Sequence, residues 1–255
     1  MQAHDRISEA IEATNREGRT ALVPFITAGY PDPGNFIDTL RVVAARGDVV
    51  ELGVPFSDPM ADGMTIQRSS FKAIEDGVTL SWIFEQLDDA AGTINAPLVM
   101  MSYLNPLLAF DYESLAKRAK ETGVCAFIVP DLPYEESAGI SAALDKEGVG
   151  LIQLVTPATP EDRLRLLAGA SRGFLYAVTI TGITGGATGL PDDVAGYLDK
   201  VSAVSSLPVC AGFGIRSAAD VESVGAHAAG AIVGSALVEV LERGEDPASF
   251  LESLR

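Results

Sequence analysis

The sequence has few of the residues on which several classes of catalytic site depend. Its 255 residues include two histidines, His4 and His227, and two cysteines, Cys125 and Cys210. Because the histidines fall near the N-terminus and between two predicted elements, we expect no histidine metal site and no Ser-His or Cys-His dyad. Each cysteine lies in or beside an apolar run, which predicts buried, reduced thiols of a cytosolic protein rather than disulfides.

Basic residues and long apolar runs are also scarce. Eighteen Lys and Arg stand against 35 Asp and Glu, a net charge of −17, which argues against nucleic acid or an anionic membrane as a partner. The longest apolar tract, residues 226–241, is interrupted by polar side chains and is too short for a membrane span. The N-terminus has no apolar signal-peptide core. We therefore expect a cytoplasmic protein.

Short β-branched, apolar runs alternate with amphipathic stretches along the whole chain. Eight runs are predicted as strands, at residues 21–27, 49–53, 97–101, 126–129, 150–154, 174–178, 208–211 and 231–233. The stretches between them carry helix signals, such as a capping Asp111 and a terminating Gly123. Near-continuous apolar strands that alternate with helices predict a parallel sheet buried on both faces.

Eight such units predict an α/β fold with a closed (β/α)8 barrel. We expect one domain over residues 1–255, with an extra helix at residues 5–17 that covers the N-terminal end of the barrel. An open, doubly wound sheet stays open as an alternative, because periodicity does not show closure.

Two carboxylates are predicted at the C-terminal end of the barrel, where such enzymes have their active sites. Glu51 lies within an apolar strand, and Asp62 follows it in a long, acidic loop at residues 54–63. If the loop folds back, the two side chains can serve as proton donor and ionised acceptor. The alternative for Glu51 is a structural pair with a buried Arg. Tyr176 lies on the same face of its predicted strand as Phe174 and Val178. It can be either a core residue or a site residue whose hydroxyl meets a carboxylate.

Glycine-rich turns follow the last three strands, at residues 181–189, 211–215 and 233–236. Backbone N–H groups and a helix N-terminus at these strand ends form the phosphate site of many barrels. The sequence therefore predicts a phosphate-bearing substrate, with ordinary tight turns as the alternative. No lysine lies between Lys146 and Lys200, so strand six cannot supply a Schiff base. Carbon–carbon bond cleavage here would depend on carboxylates alone.

Six segments carry a resemblance to a known family. The longest is ELGVPFSDPMADGMTIQ at residues 51–67, and the others are residues 24–31, 103–106, 130–133, 182–185 and 211–215. Together they closely resemble the tryptophan synthase alpha chain over nearly the whole sequence. Met64 departs from the proline usual in the longest segment, which affects only the stiffness of the loop.

The resemblance implies a lyase of tryptophan biosynthesis that cleaves indole-3-glycerol phosphate to indole and D-glyceraldehyde 3-phosphate, with no cofactor in this chain. It assigns proton transfer at indole C3 and the glycerol hydroxyl to Glu51, and acceptance of the indole N–H to Asp62. The other residues that match by motif are Tyr176 and the lid residue Thr184 as supporting groups, Gly185, Gly214, Gly234 and Ser235 for phosphate, and Leu22, Met101, Ile128 and Phe213 for the indole.

The resemblance also implies a protein partner, the tryptophan synthase beta chain, in an alpha2beta2 heterotetramer with pyridoxal phosphate on the beta chain only. The matching interface residues are Pro55, Asp58 and Asn105. The apolar loop at residues 104–110 predicts an exposed patch of Leu107, Leu108 and Phe110. The alternative is that this loop folds inward over the substrate.

Three alternatives to this function share parts of the pattern. A free-standing indole-3-glycerol-phosphate lyase would have the same site and a different surface. Another phosphate-binding barrel, such as a sugar-phosphate isomerase or indole-glycerol-phosphate synthase, is disfavoured by the missing lysine and the spacing of Glu51 and Asp62. A catalytically silent regulatory subunit is disfavoured because both carboxylates are present.

Overall fold

The computed structural model describes residues 1–179, 192–212 and 214–255. Its strands lie within one or two residues of the predicted runs. They are β1 (Ala21–Thr27), β2 (Val50–Gly53), β3 (Leu98–Met101), β4 (Val124–Ile128), β5 (Gly150–Ile152), β6 (Leu154–Val155), β7 (Leu175–Val178), β8 (Val209–Gly212) and β9 (Gly230–Val233).

The described strands form one parallel sheet in the order β5-β4-β3-β2-β1-β9-β8-β7-β6. Its two end members, β5 and β6, are separated by Gln153 alone, so one continuous stretch pairs with β4 on one side and β7 on the other. The Gln153 carbonyl accepts from the Tyr176 N–H at 3.0 Å. The sheet therefore closes. The predicted (β/α)8 barrel is confirmed, the open sheet is wrong, and the predicted fifth strand is broken in two.

Helices follow most of the strands. The described helices are α1 (Asp5–Arg16), α2 (Phe36–Ala44), α3 (Met64–Glu75), α4 (Leu80–Asp89), α5 (Leu104–Leu108), α6 (Tyr112–Glu121), α7 (Ala138–Glu147), α8 (Glu161–Ala170), α9 (Asp192–Val204), α10 (Ala218–Gly225), α11 (Ser235–Glu242) and α12 (Pro247–Glu252). Asp111 caps α6 as predicted, because its carboxylate accepts from the N–H groups of Glu113 and Ser114. Gly123 follows the helix with φ +80°.

Apolar side chains alternate between the barrel interior and the layer beneath the outer helices. On β1, Ala21 and Val23 belong to the interior, while Leu22 and Ile26 pack in the outer layer. The interior cluster also contains Ile7 and Ile11 of α1, both fully buried. Helix α1 therefore covers the N-terminal end of the barrel, as expected. This leaves the opposite end, where the strands terminate, for a site.

Both cysteines lie in the barrel interior, as expected. Cys125 on β4 and Cys210 on β8 are free thiols with no exposed surface. Burial raises the pKa of each thiol, so both stay protonated at neutral pH.

Candidate active site

A cavity of about 430 Å³ opens at the C-terminal end of the barrel. Its walls come from the ends of six strands and from the helices that follow two of them. The lining residues are Phe25, Glu51, Ala61, Asp62, Thr65, Ile66, Met101, Tyr176, Thr179, Gly212, Gly214, Ile215, Arg216, Ile232, Gly234, Ser235, Ala236 and Glu239. The cavity is large enough for a small organic substrate.

Glu51 projects from β2 into the bottom of this cavity. It is 1% exposed, and its Oε2 has no hydrogen-bond partner among the described residues. Burial raises the pKa of Glu51 to about 8, and the charge of Asp62 adds to the effect. The alternative expectation for Glu51 was a structural pair with a buried Arg. No Arg pairs with Glu51 among the described residues. Glu51 is therefore mostly protonated at pH 7 and can donate a proton into the cavity.

Asp62 reaches the same cavity from the loop after β2, which folds back over the barrel mouth. The side chain is half-buried, and burial raises its pKa. A hydrogen bond from the Tyr103 hydroxyl to Oδ2, at 3.2 Å, lowers that pKa again. The two carboxylates thus face one space in different environments: Asp62 accepts a hydrogen bond that favours its ionised form, whereas Glu51 Oε2 has no such partner among the described residues.

Tyr103 is a part of the site that sequence reasoning missed. It lies between β3 and α5, its ring stacks on Phe56 at a centroid distance of 4.9 Å, and its hydroxyl accepts from the Ala61 N–H at 2.8 Å. The residue is 5% exposed, and burial raises its pKa to about 12. Its position two residues after the end of β3, within the matching segment at residues 103–106, was the available signal.

Tyr176 faces the cavity from β7. Burial raises its pKa well above the ordinary range, and the nearby charge of Glu51 contributes. Its hydroxyl lies 3.1 Å from the point where a Cβ on Gly212 would stand. Glycine at position 212 therefore makes room for the phenol at the cavity wall.

The other end of the cavity is lined by backbone rather than by basic side chains. Gly214 follows β8 with φ +60°, a conformation that favours glycine. Gly234 follows β9, and α11 begins at the next residue, Ser235. The first N–H groups of a helix lack partners within it and bind anions. Gly185, Thr184 and the rest of the predicted loop at residues 181–189 lie outside the described residues.

Comparisons with known proteins agree on one family. The family model described as tryptophan synthase alpha chain matches residues 11–254. The chain belongs to this family. It is 43% identical to the tryptophan synthase alpha chain of Desulfovibrio desulfuricans over 248 residues, which is 96% of this chain and 97% of the relative. The Roseiflexus alpha chain is 42% identical, over 98% of this chain and 99% of the relative.

Solved structures of the family share the fold. Tryptophan synthase subunit alpha from Legionella pneumophila has a TM-score of 0.88 at 31% identity, covering 100% of this chain and 97% of that chain. A tryptophan synthase structure from Mycobacterium tuberculosis gives a TM-score of 0.89 at 31% identity, covering 98% and 96%. Family membership confirms the family expected from the sequence and makes this chain an enzyme of tryptophan synthesis.

The indole-binding residues implied by the resemblance fall in different places. Met101 lines the cavity, and Ile128 lies in the barrel interior cluster that Met101 contacts. Leu22 does not reach the cavity, because its parity on β1 directs it outward. Phe25, which has the inward parity and sits nearer the strand end, lines the cavity instead. Phe213 lies outside the described residues.

The expected interface residues surround the mouth in two loops. Pro55 is buried, whereas Asp58 and Asn105 are exposed. The expected apolar patch needs correction, because α5 turns Leu107 into the core, where it is fully buried. Phe110 is half-buried, with its ring edge-on to Phe84. The large apolar side chains of these two loops that remain exposed are Leu108, at 54%, and Met60, at 88%.

Two further findings concern the described residues only. None of their helices is both long and apolar enough to cross a bilayer. Within the same ranges, no three or more His, Cys, Asp and Glu side chains are grouped so that they could hold a metal ion.

Proposed function

We propose that this chain cleaves indole-3-glycerol phosphate to indole and D-glyceraldehyde 3-phosphate, with no cofactor of its own. One observation carries the proposal: a buried Glu51, whose Oε2 has no partner among the described residues and whose raised pKa keeps it protonated, faces the same cavity as Asp62. A retro-aldol cleavage of this substrate needs a proton delivered to carbon and a carboxylate beside the ring nitrogen. The site offers both.

The proposed steps move two protons and break one bond. Glu51 donates its proton to indole C3, and the positive charge that develops on the ring is stabilised by Asp62, which accepts the ring N–H. The ionised Glu51 then takes the proton of the hydroxyl on the carbon attached to C3. The electron pair of the carbon–carbon bond passes into the ring, which leaves as indole, and the hydroxyl carbon becomes the aldehyde. Glu51 is protonated again at the end.

The remaining walls support the same substrate. The substrate phosphate would bind the amides around Gly214, Gly234 and Ser235 at one end of the cavity. The ring would lie against Phe25 and Met101, which provide apolar surface near the carboxylates. We further propose that Thr184 and Gly185 complete the site by closing over it and binding phosphate.

The decisive experiment compares Glu51→Gln with an exposed Glu→Gln variant. Glu9 on α1 is exposed at the opposite end of the barrel, so Glu9→Gln is the matched control. Indole release from indole-3-glycerol phosphate should fall by about 10² to 10⁴ in Glu51→Gln and stay unchanged in Glu9→Gln. Substrate binding measured by calorimetry should persist in both variants. Cleavage retained by Glu51→Gln would contradict the assignment.

We also propose that the whole chain, residues 1–255, acts as one cytoplasmic catalytic domain that docks on a tryptophan synthase beta chain, in an alpha2beta2 assembly. Pyridoxal phosphate would be held by the beta chain alone. The support is the exposed rim of the mouth, where apolar Met60 and Leu108 lie in the same two loops as Asp58 and Asn105. Indole released into the cavity could then pass to the partner without entering solvent.

A further inference from the structure

Three hydrogen-bonded side chains on the cavity rim have no part in the proposed proton transfers. Arg216 donates from both terminal nitrogens to Glu239, at 2.9 Å each, and Thr65 Oγ1 donates to Oε1 of Glu239 at 3.3 Å. All three line the cavity. The hydrogen bonds from Arg216 lower the pKa of Glu239, so this carboxylate stays ionised and accepts from both sides.

The three hydrogen-bonded side chains belong to three different segments of the site. Arg216 comes two residues after Gly214, and Glu239 is one helical turn beyond Ser235 on α11. Thr65 lies in the first turn of α3, three residues after Asp62. Glu239 therefore connects both segments that carry the phosphate-binding amides to the segment that carries Asp62.

The Asp62 segment is itself joined firmly to the start of α3. The side-chain amide of Gln67 donates to the Asp62 carbonyl at 2.8 Å, and its backbone N–H donates to the Gly63 carbonyl at 3.0 Å. A displacement of Thr65 would consequently carry Asp62 with it.

We propose that Glu239 is a positioning residue that fixes Asp62 relative to the phosphate-binding amides. The proposal rests on the proposed cleavage reaction. A substrate anchored by its phosphate presents its ring N–H at a set distance from that anchor. The Asp62 carboxylate must lie at that distance to accept the N–H. Small misplacements of a catalytic group cost rate more than they cost binding, because the reacting atoms no longer align. Loss of the connection should therefore lower kcat and leave KM nearly unchanged.

An ion pair between α3 and α11, the two helices that the Thr65–Glu239 hydrogen bond also joins, provides a matched control. Arg68 of α3 donates to Glu242 of α11 from Nε and Nη2, at 2.8 and 2.6 Å. The two pairs have similar side-chain exposure, 52% and 35% for Arg68 and Glu242 against 53% and 24% for Arg216 and Glu239. Glu242 does not line the cavity. Its loss should loosen the contact between the helices without disturbing the rim.

The experiment measures indole release from indole-3-glycerol phosphate by the full chain, in the same assembly state for every variant. Thr65→Val and Glu239→Gln should lower kcat by about tenfold, the effect of losing a hydrogen bond to a charged group. KM and inhibition by inorganic phosphate should change by less than about twofold. Thr65→Ser, which keeps the hydroxyl, should restore kcat. Glu242→Gln should keep kcat while lowering Tm to the same extent as Glu239→Gln.

Each alternative result has a definite meaning. Equal kcat in Thr65→Val and Thr65→Ser, or an equal kcat loss in Glu242→Gln and Glu239→Gln, would overturn the positioning role. A rise in KM or weaker phosphate inhibition, with kcat retained, would also overturn it and would assign Glu239 and Arg216 to phosphate binding. Absence of indole release by the unaltered chain would instead contradict the proposed function.

Discussion

Tyr103 and Asp62 follow two neighbouring strands and are joined by a hydrogen bond. The Tyr103 hydroxyl donates to Asp62 Oδ2 at 3.2 Å while it accepts from the Ala61 N–H at 2.8 Å. Because β2 and β3 pair in parallel, their following loops leave the same edge of the barrel. One phenol thereby holds the backbone and the carboxylate of the Asp62 loop, and it offsets part of the rise in pKa that burial causes.

Tyr103→Phe should lower kcat/KM by about 10- to 100-fold, because a hydrogen bond to a charged group is worth about 1.5–3 kcal/mol. Without this donor the pKa of Asp62 should rise further, since the bond favours the ionised form. The acid limb of the pH–rate profile should then move to higher pH. Steady-state kinetics between pH 5 and 9 would measure both effects.

Tyr197→Phe is the control for this variant. The Tyr197 hydroxyl donates to the Val155 carbonyl at 2.8 Å, away from the cavity. Its loss should lower Tm and leave the pH profile in place. An unshifted acid limb in Tyr103→Phe would show that the phenol does not act through Asp62.

The second prediction concerns the pH dependence of activity. Glu51 must begin the reaction protonated, and its pKa is raised to about 8, so kcat/KM should fall as pH rises through about 8. Asp62 must be ionised, so kcat/KM should also fall at acid pH, below a pKa that burial has raised. A bell-shaped profile is expected. Activity that is constant from pH 7 to 10 would contradict the role of Glu51 as the initial acid.

The third prediction is that Glu51 also makes the stability of the fold depend on pH. Between pH 4.5, the ordinary pKa of Glu, and about 8, folded Glu51 keeps a proton that the unfolded chain releases. The free energy of unfolding therefore falls with rising pH across this window. Glu51→Gln removes this penalty, so its stability relative to wild type should grow from pH 5 to pH 8 by a few kcal/mol at most, since each pKa unit is worth about 1.36 kcal/mol. Urea unfolding at both pH values measures the difference.

The strand pattern predicted much of the fold and the place of the carboxylates. Runs of apolar residues located the strands, and the parity of β2 directed Glu51 inward, because successive side chains of a strand alternate between its faces. The break at Gln153 was not predictable, since residues 150–154 read as one apolar run. Closure of the barrel depends on the pairing of β5 with β4 and of β6 with β7. The periodicity of apolar residues along the sequence does not specify which strands pair.

Sequence reasoning failed where side-chain contacts depend on loop geometry. Leu107 lies in an apolar loop that looks exposed, but the short helix α5 turns it inward and leaves Leu108 outside. The reach of Tyr103 to Asp62 requires two loops to meet, and no local pattern encodes that distance. Leu22 was assigned to the indole pocket by resemblance, although the alternation along β1 already favoured Phe25.

The fourth prediction follows from the place of Phe25, rather than Leu22, in the cavity wall. Phe25→Ala removes a wall of the cavity, so KM for indole-3-glycerol phosphate and the affinity for indole should both weaken about tenfold or more, as expected for the loss of a large apolar contact. Leu22 packs in the layer between the barrel and the outer helices. Leu22→Ala should therefore leave indole affinity unchanged while destabilising the fold by about 2–5 kcal/mol. Calorimetric titration with indole would separate the two. Weaker indole binding in Leu22→Ala alone would restore the assignment made from the resemblance.

The last prediction tests the partner surface. Leu108 is 54% exposed beside the mouth, whereas Leu166 on α8 is 44% exposed on a different helix. A lysine at an apolar contact must lose its hydration when a partner covers it, so Leu108→Lys should weaken docking. If a beta chain binds this rim, cleavage by the isolated chain should be slow, rise on adding the beta chain, and rise less for Leu108→Lys than for wild type. Leu166→Lys should be stimulated normally. Fast cleavage by the isolated chain, with no complex in ultracentrifugation, would favour a free-standing lyase, because a site that is already ordered gains nothing from a partner.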